Sequence, residues 1–148
     1  MSFTDEQLER YARHIILKEI GGDGQRKLRE ATVAVIGAGG IGSTEIQYLA
    51  AAGIGWIVLV DDDEVGLSNL QRQTIFRTAD IGRSKVDAAI EAATGITKDV
   101  SFISYKERLT AQNVTKILDG ASVVVDGSDN FETRLVVADA AQQLRVPL

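Results

Sequence analysis

The stretch VIGAGGIG, residues 35–42, limits what this chain can fold into more than any other. It follows the β-branched run TVAVI and precedes IGSTEIQYLAAAG, whose apolar residues recur at helical spacing and which Gly53 closes. The stretch therefore reads as the turn between a buried strand and a helix. Gly37, Gly39 and Gly42 fit the pattern G-x-G-x-x-G, and Gly40 adds a further glycine. The first permits a tight turn, and the middle ones let backbone amides approach a phosphate. The last lets helix pack on strand, while the helix N-terminus attracts the anion. Asp61 ends the next strand, GWIVLVD, where such sites place a carboxylate that bonds ribose hydroxyls. A glycine turn used only for packing would leave Asp61 unexplained. The pattern reads as a nucleotide site, and by itself it does not separate NAD from ATP.

The same alternation continues along the chain. SKVDAAIEAAT reads as a helix, VSFISY as a strand, AQNVTKILD as a helix, SVVVDGSDN as a strand and ETRLVVADAAQQL as a final helix. Strands alternating with helices give an α/β fold, Rossmann-like and doubly wound, with a mostly parallel sheet and helices on both faces. An N-terminal helical segment over residues 1–30 precedes this nucleotide-binding domain, expected over 31–148. In the segment Thr4 caps a helix and Gln7 completes a capping box. Leu8, Tyr11, Ile15 and Ile16 recur on one face, Gly21 and Gly22 end that helix, and GQRKLREA forms a second. The terminal RVPL stands where another buried strand would begin, so the chain is expected to be the front part of a longer protein.

The length of 148 residues suits one domain. Such a chain buries roughly 68–70% of its unfolded surface, enough for a core without covalent staples. A net charge of −5 with no basic stripe argues against nucleic-acid binding, yet leaves room for a phosphorylated ligand held by a few arginines. The absence of cysteine excludes disulfides, thiol nucleophiles and zinc–thiolate sites within these residues. No apolar run reaches the length of a membrane span, and MSFTDEQLER is too polar for a signal peptide, so no membrane association is expected and the cytoplasm is the default location.

Several side chains tilt the choice of nucleotide. Arg72, in the amide-rich run NLQRQ, offers a permanently charged planar fork suited to phosphate oxygens. Lys85 falls in the first turn of a helix, where a cation opposes the dipole unless an anion lies nearby. Asp129, after the strand SVVVD, is expected at the carboxyl edge of the sheet; a carboxylate beside phosphates calls for a divalent cation, usually Mg²⁺, between them. Arg10 and Arg13 share a helix face. Asp61, Asp62, Asp63 and Glu64 form an acidic run in which alternation sends Asp61 and Asp63 one way and Asp62 the other. Each has a plainer reading: Arg72 in a surface ion pair, Lys85 solvated, Asp129 as a helix cap. His14, the only histidine, sits beside Ile15 and Ile16 and reads as a packing or hydrogen-bonding residue.

RYARHIIL, GAGGIG, VDDDEVGLSNLQRQTIF, DIGRSKVDAA and DGSDNFETR follow one another over nearly the whole chain. In this order they resemble the ThiF/MoeB/HesA family, bacterial relatives of ubiquitin-activating enzymes. The resemblance implies an ATP-dependent adenylyltransferase that activates the C-terminal Gly-Gly carboxylate of a ubiquitin-like sulfur-carrier protein for molybdopterin or thiamine synthesis. It implies Gly40 against the phosphates, Asp61 on the ribose, Asn69, Arg72 and Lys85 on the phosphates, and Asp129 on Mg²⁺. It implies a homodimer in which Arg13 reaches the active site of the other subunit. Family members usually continue beyond this length with carrier-docking strands and often two Cys-x-x-Cys pairs, so zinc is implied only for a longer parent chain. Two other readings remain: an NAD-dependent oxidoreductase domain, which leaves Arg72, Lys85 and Asp129 idle, and a non-catalytic nucleotide-binding or dimerisation module.

Overall fold

The computed structural model describes residues 2–148. Its core is a four-stranded sheet in the order β3-β2-β1-β4, every pairing parallel. The strands are β1 (Thr32–Ile36), β2 (Trp56–Val60), β3 (Ser101–Tyr105) and β4 (Val123–Asp126). Three short helices come first: α1 (Asp5–Arg10), α2 (Ala12–Ile15) and α3 (Gly21–Glu30). The connections carry α4 (Gly40–Ala52), α5 (Lys85–Ile96) and α6 (Val114–Leu118), and α7 (Phe131–Leu144) follows β4.

Period-two alternation divides each strand between two cores. Val33, Val35, Ile57 and Leu59 point to one face and pack with Ile46 and Ala50 of α4 and Val86 and Ala89 of α5. Ala34, Ile36, Val58, Val60 and Val124 point to the other and pack with Ile117 and Leu118 of α6 and Val137 and Ala140 of α7. Both faces are covered, hence the near-continuous apolar strands. Fully buried Ile46, Ile57 and Leu59 each contribute about 1.5–3 kcal/mol relative to exposure. Ile36 lies level with Val60 and Asp126, and Val60 with Tyr105, so the strands end along one carboxyl edge. The chain reverses its direction of travel across the sheet between β1 and β4, with α4 leaving toward one face and α7 toward the other. Ligands of open α/β sheets bind at such a switch point.

The first of the two helices expected in the N-terminal segment is not one unbroken helix. The capping box at Thr4 is present, but the helix breaks at Tyr11, and Gly21 and Gly22 open α3 rather than close its predecessor. Tyr11 turns inward instead. It is buried, and its hydroxyl donates to Asp99 Oδ2 at 2.9 Å while Gln7 Nε2 donates to Oδ1 at 3.1 Å. Two elements are shorter than their sequence runs: α6 keeps five residues of AQNVTKILD, and β4 ends at Asp126. The RVPL residues form no strand, although the Pro147 carbonyl accepts the Val124 N–H at 2.8 Å on the outer side of β4.

Candidate functional site

The switch point holds a cavity of about 590 Å³. Its floor is the turn from β1 to α4. Gly37 has φ +87°, a conformation that only glycine adopts without strain, and its N–H donates to the Val60 carbonyl at 2.8 Å. Gly37, Gly39 and Gly40 line the cavity. Gly42 does not line it but lies buried beneath: a Cβ there would stand 1.8 Å from the Gly37 carbonyl oxygen. Of the four glycines, this one serves the packing of helix on strand. The first turn of the 13-residue helix α4 leaves its amides directed at the cavity.

Asp61 follows β2 and is held on both sides. Oδ2 accepts the Ala38 N–H at 2.8 Å and Oδ1 accepts the Asp63 N–H at 2.8 Å. Burial pushes its pKa up from the ordinary carboxylate value, opposed by those two amides and by Lys85. Alternation does not extend past the strand end. Because β2 stops at Val60, Asp61, Asp62 and Asp63 all face the cavity, with one carboxylate oxygen of each within 4.8 Å of the others. Asp62 is thus not directed away, as alternation predicted.

Lys85 is not a solvated surface lysine. It is 5% exposed, and its ammonium sits 3.1 Å from Asp63 Oδ2 at the cavity wall. A buried cation at a helix N-terminus requires a compensating anion, and Asp63 supplies one. Arg72 is exposed and donates to the Ser68 carbonyl at 3.3 Å, with its stem 3.6 Å from where a Gly40 Cβ would stand. Asn69 lines the cavity as well, its Oδ1 accepting the Gly66 N–H at 2.9 Å to close the turn that carries Arg72. Asp129 is exposed at the cavity rim. It is not the cap of α7; Asn130 is, its side chain accepting the Thr133 N–H at 2.9 Å.

The fold therefore gathers Gly37, Gly39, Gly40, Asp61, Asp63, Asn69, Arg72, Lys85 and Asp129 around one cavity. Arg13 is absent from its walls and stands exposed on α2. His14 Nδ1 lies 2.8 Å from Gln25 Oε1, while Gln25 Nε2 donates to the Ala52 carbonyl at 2.8 Å. With its nitrogen so committed, the amide oxygen of Gln25 accepts, and His14 carries its proton on Nδ1. That is a structural hydrogen bond, as expected. Sequence reasoning missed Gln73, Glu107, Arg108, Leu109, Ser128 and Arg134, which also line the cavity. Arg134 clamps the β4 exit loop, donating Nε and Nη2 to the Ser128 carbonyl at 3.3 and 3.1 Å. Its position one turn into α7 was the available signal. Nothing in the pattern pointed to Glu107–Leu109, which the β3 exit supplies.

Chemically the cavity combines four arginine or lysine side chains, backbone amides at a helix start, and the carboxylates of Asp61, Asp62, Asp63 and Glu107, with Asp129 at the rim. Cations and amides suit a polyanion at the glycine turn. Asp129 has no hydrogen bond or ion pair among the described residues and fits a divalent cation that would accompany such an anion. The chain has one histidine and no cysteine, so its residues do not fit a zinc centre.

Sheet order, glycine turn and switch-point cavity define a Rossmann-like α/β domain. The chain belongs to the ThiF family, whose model matches residues 11–148. It is 45% identical over its whole length to 55% of the SAMP-activating enzyme E1 of Haloferax volcanii. It is 44% identical, again over its whole length, to 55% of a sulfur carrier protein adenylyltransferase of Thermus thermophilus. Over 98% of the chain it is 42% identical to 58% of the sulfur carrier protein ThiS adenylyltransferase of Escherichia coli. Among solved structures, Escherichia coli tRNA N6-threonylcarbamoyladenosine dehydratase in complex with ATP superposes with TM-score 0.92 at 25% identity, covering all of this chain and 60% of that one. The chain spans about half the length of the curated relatives it matches. Among the described residues no helix is long and apolar enough to cross a membrane.

Proposed function

We propose that the protein adenylylates the C-terminal Gly-Gly carboxylate of a small ubiquitin-like sulfur-carrier protein, consuming ATP and releasing pyrophosphate, in molybdopterin or thiamine synthesis in the cytoplasm. The observation that carries this reading is Lys85, buried in the wall of the same cavity as the glycine turn and Arg72. A hydride-transfer domain expels no pyrophosphate and so has less use for two cations beside the glycine turn. The names of the relatives, two of them sulfur-carrier adenylyltransferases, support the same reaction class, and the ATP complex of the structural neighbour supports the nucleotide.

The chemistry suits these residues. A carboxylate oxygen attacks the α-phosphorus, the bond from that phosphorus to the bridging oxygen breaks, and pyrophosphate leaves with the electron pair. A C-terminal carboxyl group has a pKa of about 3.5, so it arrives ionised and needs no general base. The obstacle is bringing an anion to a polyanion. Gly40 and the α4 amides would cradle the phosphates, Asn69 would complete that shell, and Asp61 would hold the ribose hydroxyls. Arg72 and Lys85 would neutralise charge that builds on the leaving phosphates. Mg²⁺, held by Asp129, supplies further charge neutralisation when bound. Arg13, exposed and outside the cavity, would enter the site of a second copy, making a homodimer with two sites completed in trans.

Calorimetric titration of the chain with Mg-ATP and separately with NAD tests the reading. Saturable Mg-ATP binding, weakened at least about tenfold in Asp129→Asn, is the expected result. Binding of NAD without ATP would overturn it in favour of an oxidoreductase domain. Carrier-dependent exchange of labelled pyrophosphate into ATP then separates an enzyme from a module that only binds nucleotide.

A further inference from the structure

Arg13 stands on one of the shortest elements of the fold. Helix α2 has four residues, too few to hold itself in water, and Tyr11 separates it from α1 with φ −101° and ψ 11°. Its orientation therefore comes from outside the helix. Tyr11, His14 and Ile15 share the inward side by i, i+3 and i+4 spacing, which leaves Arg13 on the exposed one.

Both inward rings are tied to the domain. The Tyr11 hydroxyl donates to Asp99 Oδ2 at 2.9 Å, and the Tyr11 and His14 rings stack with centroids 6.4 Å apart. His14 Nδ1 meets Gln25 Oε1 at 2.8 Å, and Gln25 Nε2 donates to the carbonyl of Ala52, the last residue of α4, at 2.8 Å. Gln25 is 0% exposed. Gly53 packs tightly on the pair: a Cβ there would stand 2.7 Å from Tyr11 Cζ and 2.8 Å from Gln25 Nε2. An apolar side chain would fill the place of Gln25 without the cost of burying an amide. What the amide adds is direction. It links the residue after Arg13 to the end of the helix whose first turn borders the cavity. Arg13 itself has no hydrogen bond or ion pair among the described residues. A free cation thus stands above a fixed base.

We infer that Gln25 is a positioning residue: through His14 it sets the heading at which Arg13 leaves the domain to enter the site of a second copy. This rests on the reading in which Arg13 acts in trans. Gln25 touches no substrate. Its effect belongs to the subunit that lends the arginine, not to the subunit whose cavity is in use.

That asymmetry is the test. In a mixed dimer of Arg13→Ala and Asp129→Ala, the one complete site takes its arginine from the Asp129→Ala chain and its Asp129 from the other. Gln25→Met, of similar length and volume, is added to each chain in turn, and carrier-dependent pyrophosphate exchange is measured alongside thermal unfolding. On the Asp129→Ala chain it lowers the recovered rate at least about fivefold, as expected for a misplaced charged group. On the Arg13→Ala chain it leaves the recovered rate within about twofold, because that chain's arginine is already gone. If Gln25→Met unfolds below the assay temperature, His14→Phe carries the comparison; it keeps a ring and drops the bond to Gln25. Equal losses from either chain mark a role in folding alone and overturn the inference while leaving Arg13 in trans, as does a loss confined to the Arg13→Ala chain or no loss at all. A parent mixture that recovers no exchange overturns the trans reading and the inference together.

Discussion

Substituting alanine at two glycines of the same turn should separate folding from binding. At Gly42 an added Cβ would stand 1.8 Å from the Gly37 carbonyl oxygen and 2.9 Å from its carbon. Ordinary contact requires the pair to part by roughly 1.5 Å. Both partners are backbone, and retreat is blocked. Gly37 already has Gly127 behind it, where its own Cβ would meet the Gly127 oxygen at 3.2 Å, and hydrogen bonds of 2.8 Å tie Gly37 to Val60 and Gly127 to Ile36. Overpacking with no escape costs about 3 kcal/mol, which in a domain of this size lowers Tm by roughly 6–12 °C. Gly40 is different. The nearest atoms to its Cβ would be those of the flexible Arg72 side chain, at 3.6–3.8 Å, and it opens a helix in which alanine is the better residue by about 0.5–1 kcal/mol. Gly40→Ala should therefore unfold at or above the wild-type temperature while its Kd for Mg-ATP rises about tenfold, because the methyl group covers amides that the phosphates approach. Calorimetric unfolding and ATP titration of the two variants decide it. A Gly42→Ala protein with a wild-type midpoint would refute the packing argument, and a Gly40→Ala protein with wild-type ATP affinity would refute the cradle.

Two further outcomes are expected. Burial, then the hydrogen bond to Asp99, pushes the Tyr11 pKa up to about 12, so the stability this phenol confers is intact below pH 10 and is lost as pH rises toward 12. Tyr11→Phe should lose about 1–2 kcal/mol at pH 7, and urea titrations at pH 7 and 11 should show its deficit shrinking by about 1 kcal/mol; an unchanged deficit would contradict the assignment. If Arg13 acts in trans, mixing inactive Arg13→Ala with inactive Asp129→Ala should restore about one quarter of wild-type carrier-dependent pyrophosphate exchange, whereas no recovery from mixed dimers would place Arg13 elsewhere.

The sheet was legible because β-branched runs such as TVAVI and WIVLV are apolar on both faces, as parallel strands buried from two sides must be. The turn at Gly37 was legible for a similar reason: a positive φ leaves few residue choices. Less visible were features that depend on where hydrogen bonding stops. The direction of Asp62 follows from β2 ending at Val60, and the cap of α7 falls on Asn130 rather than Asp129 because the helix begins at Phe131. The break at Tyr11 reflects its burial against Asp99, a partner 88 residues away that no local pattern reveals. Gln73 escaped notice because an amide in a polar run looks solvated until the fold buries it.

The two amide bonds on Asp61 carry a consequence for selectivity. Each oxygen is already occupied by one backbone N–H, so the carboxylate cannot swing, and what it has left to offer is acceptor lone pairs on a preset heading. Its complement is a pair of neighbouring donors at matching spacing, as in an unmodified sugar diol. A sugar that bears a phosphoryl group there would set acceptor against acceptor beside a fixed negative charge. In the proposed nucleotide site the carboxylate would thus work as a filter on the state of the sugar, with its discrimination built in before any ligand arrives.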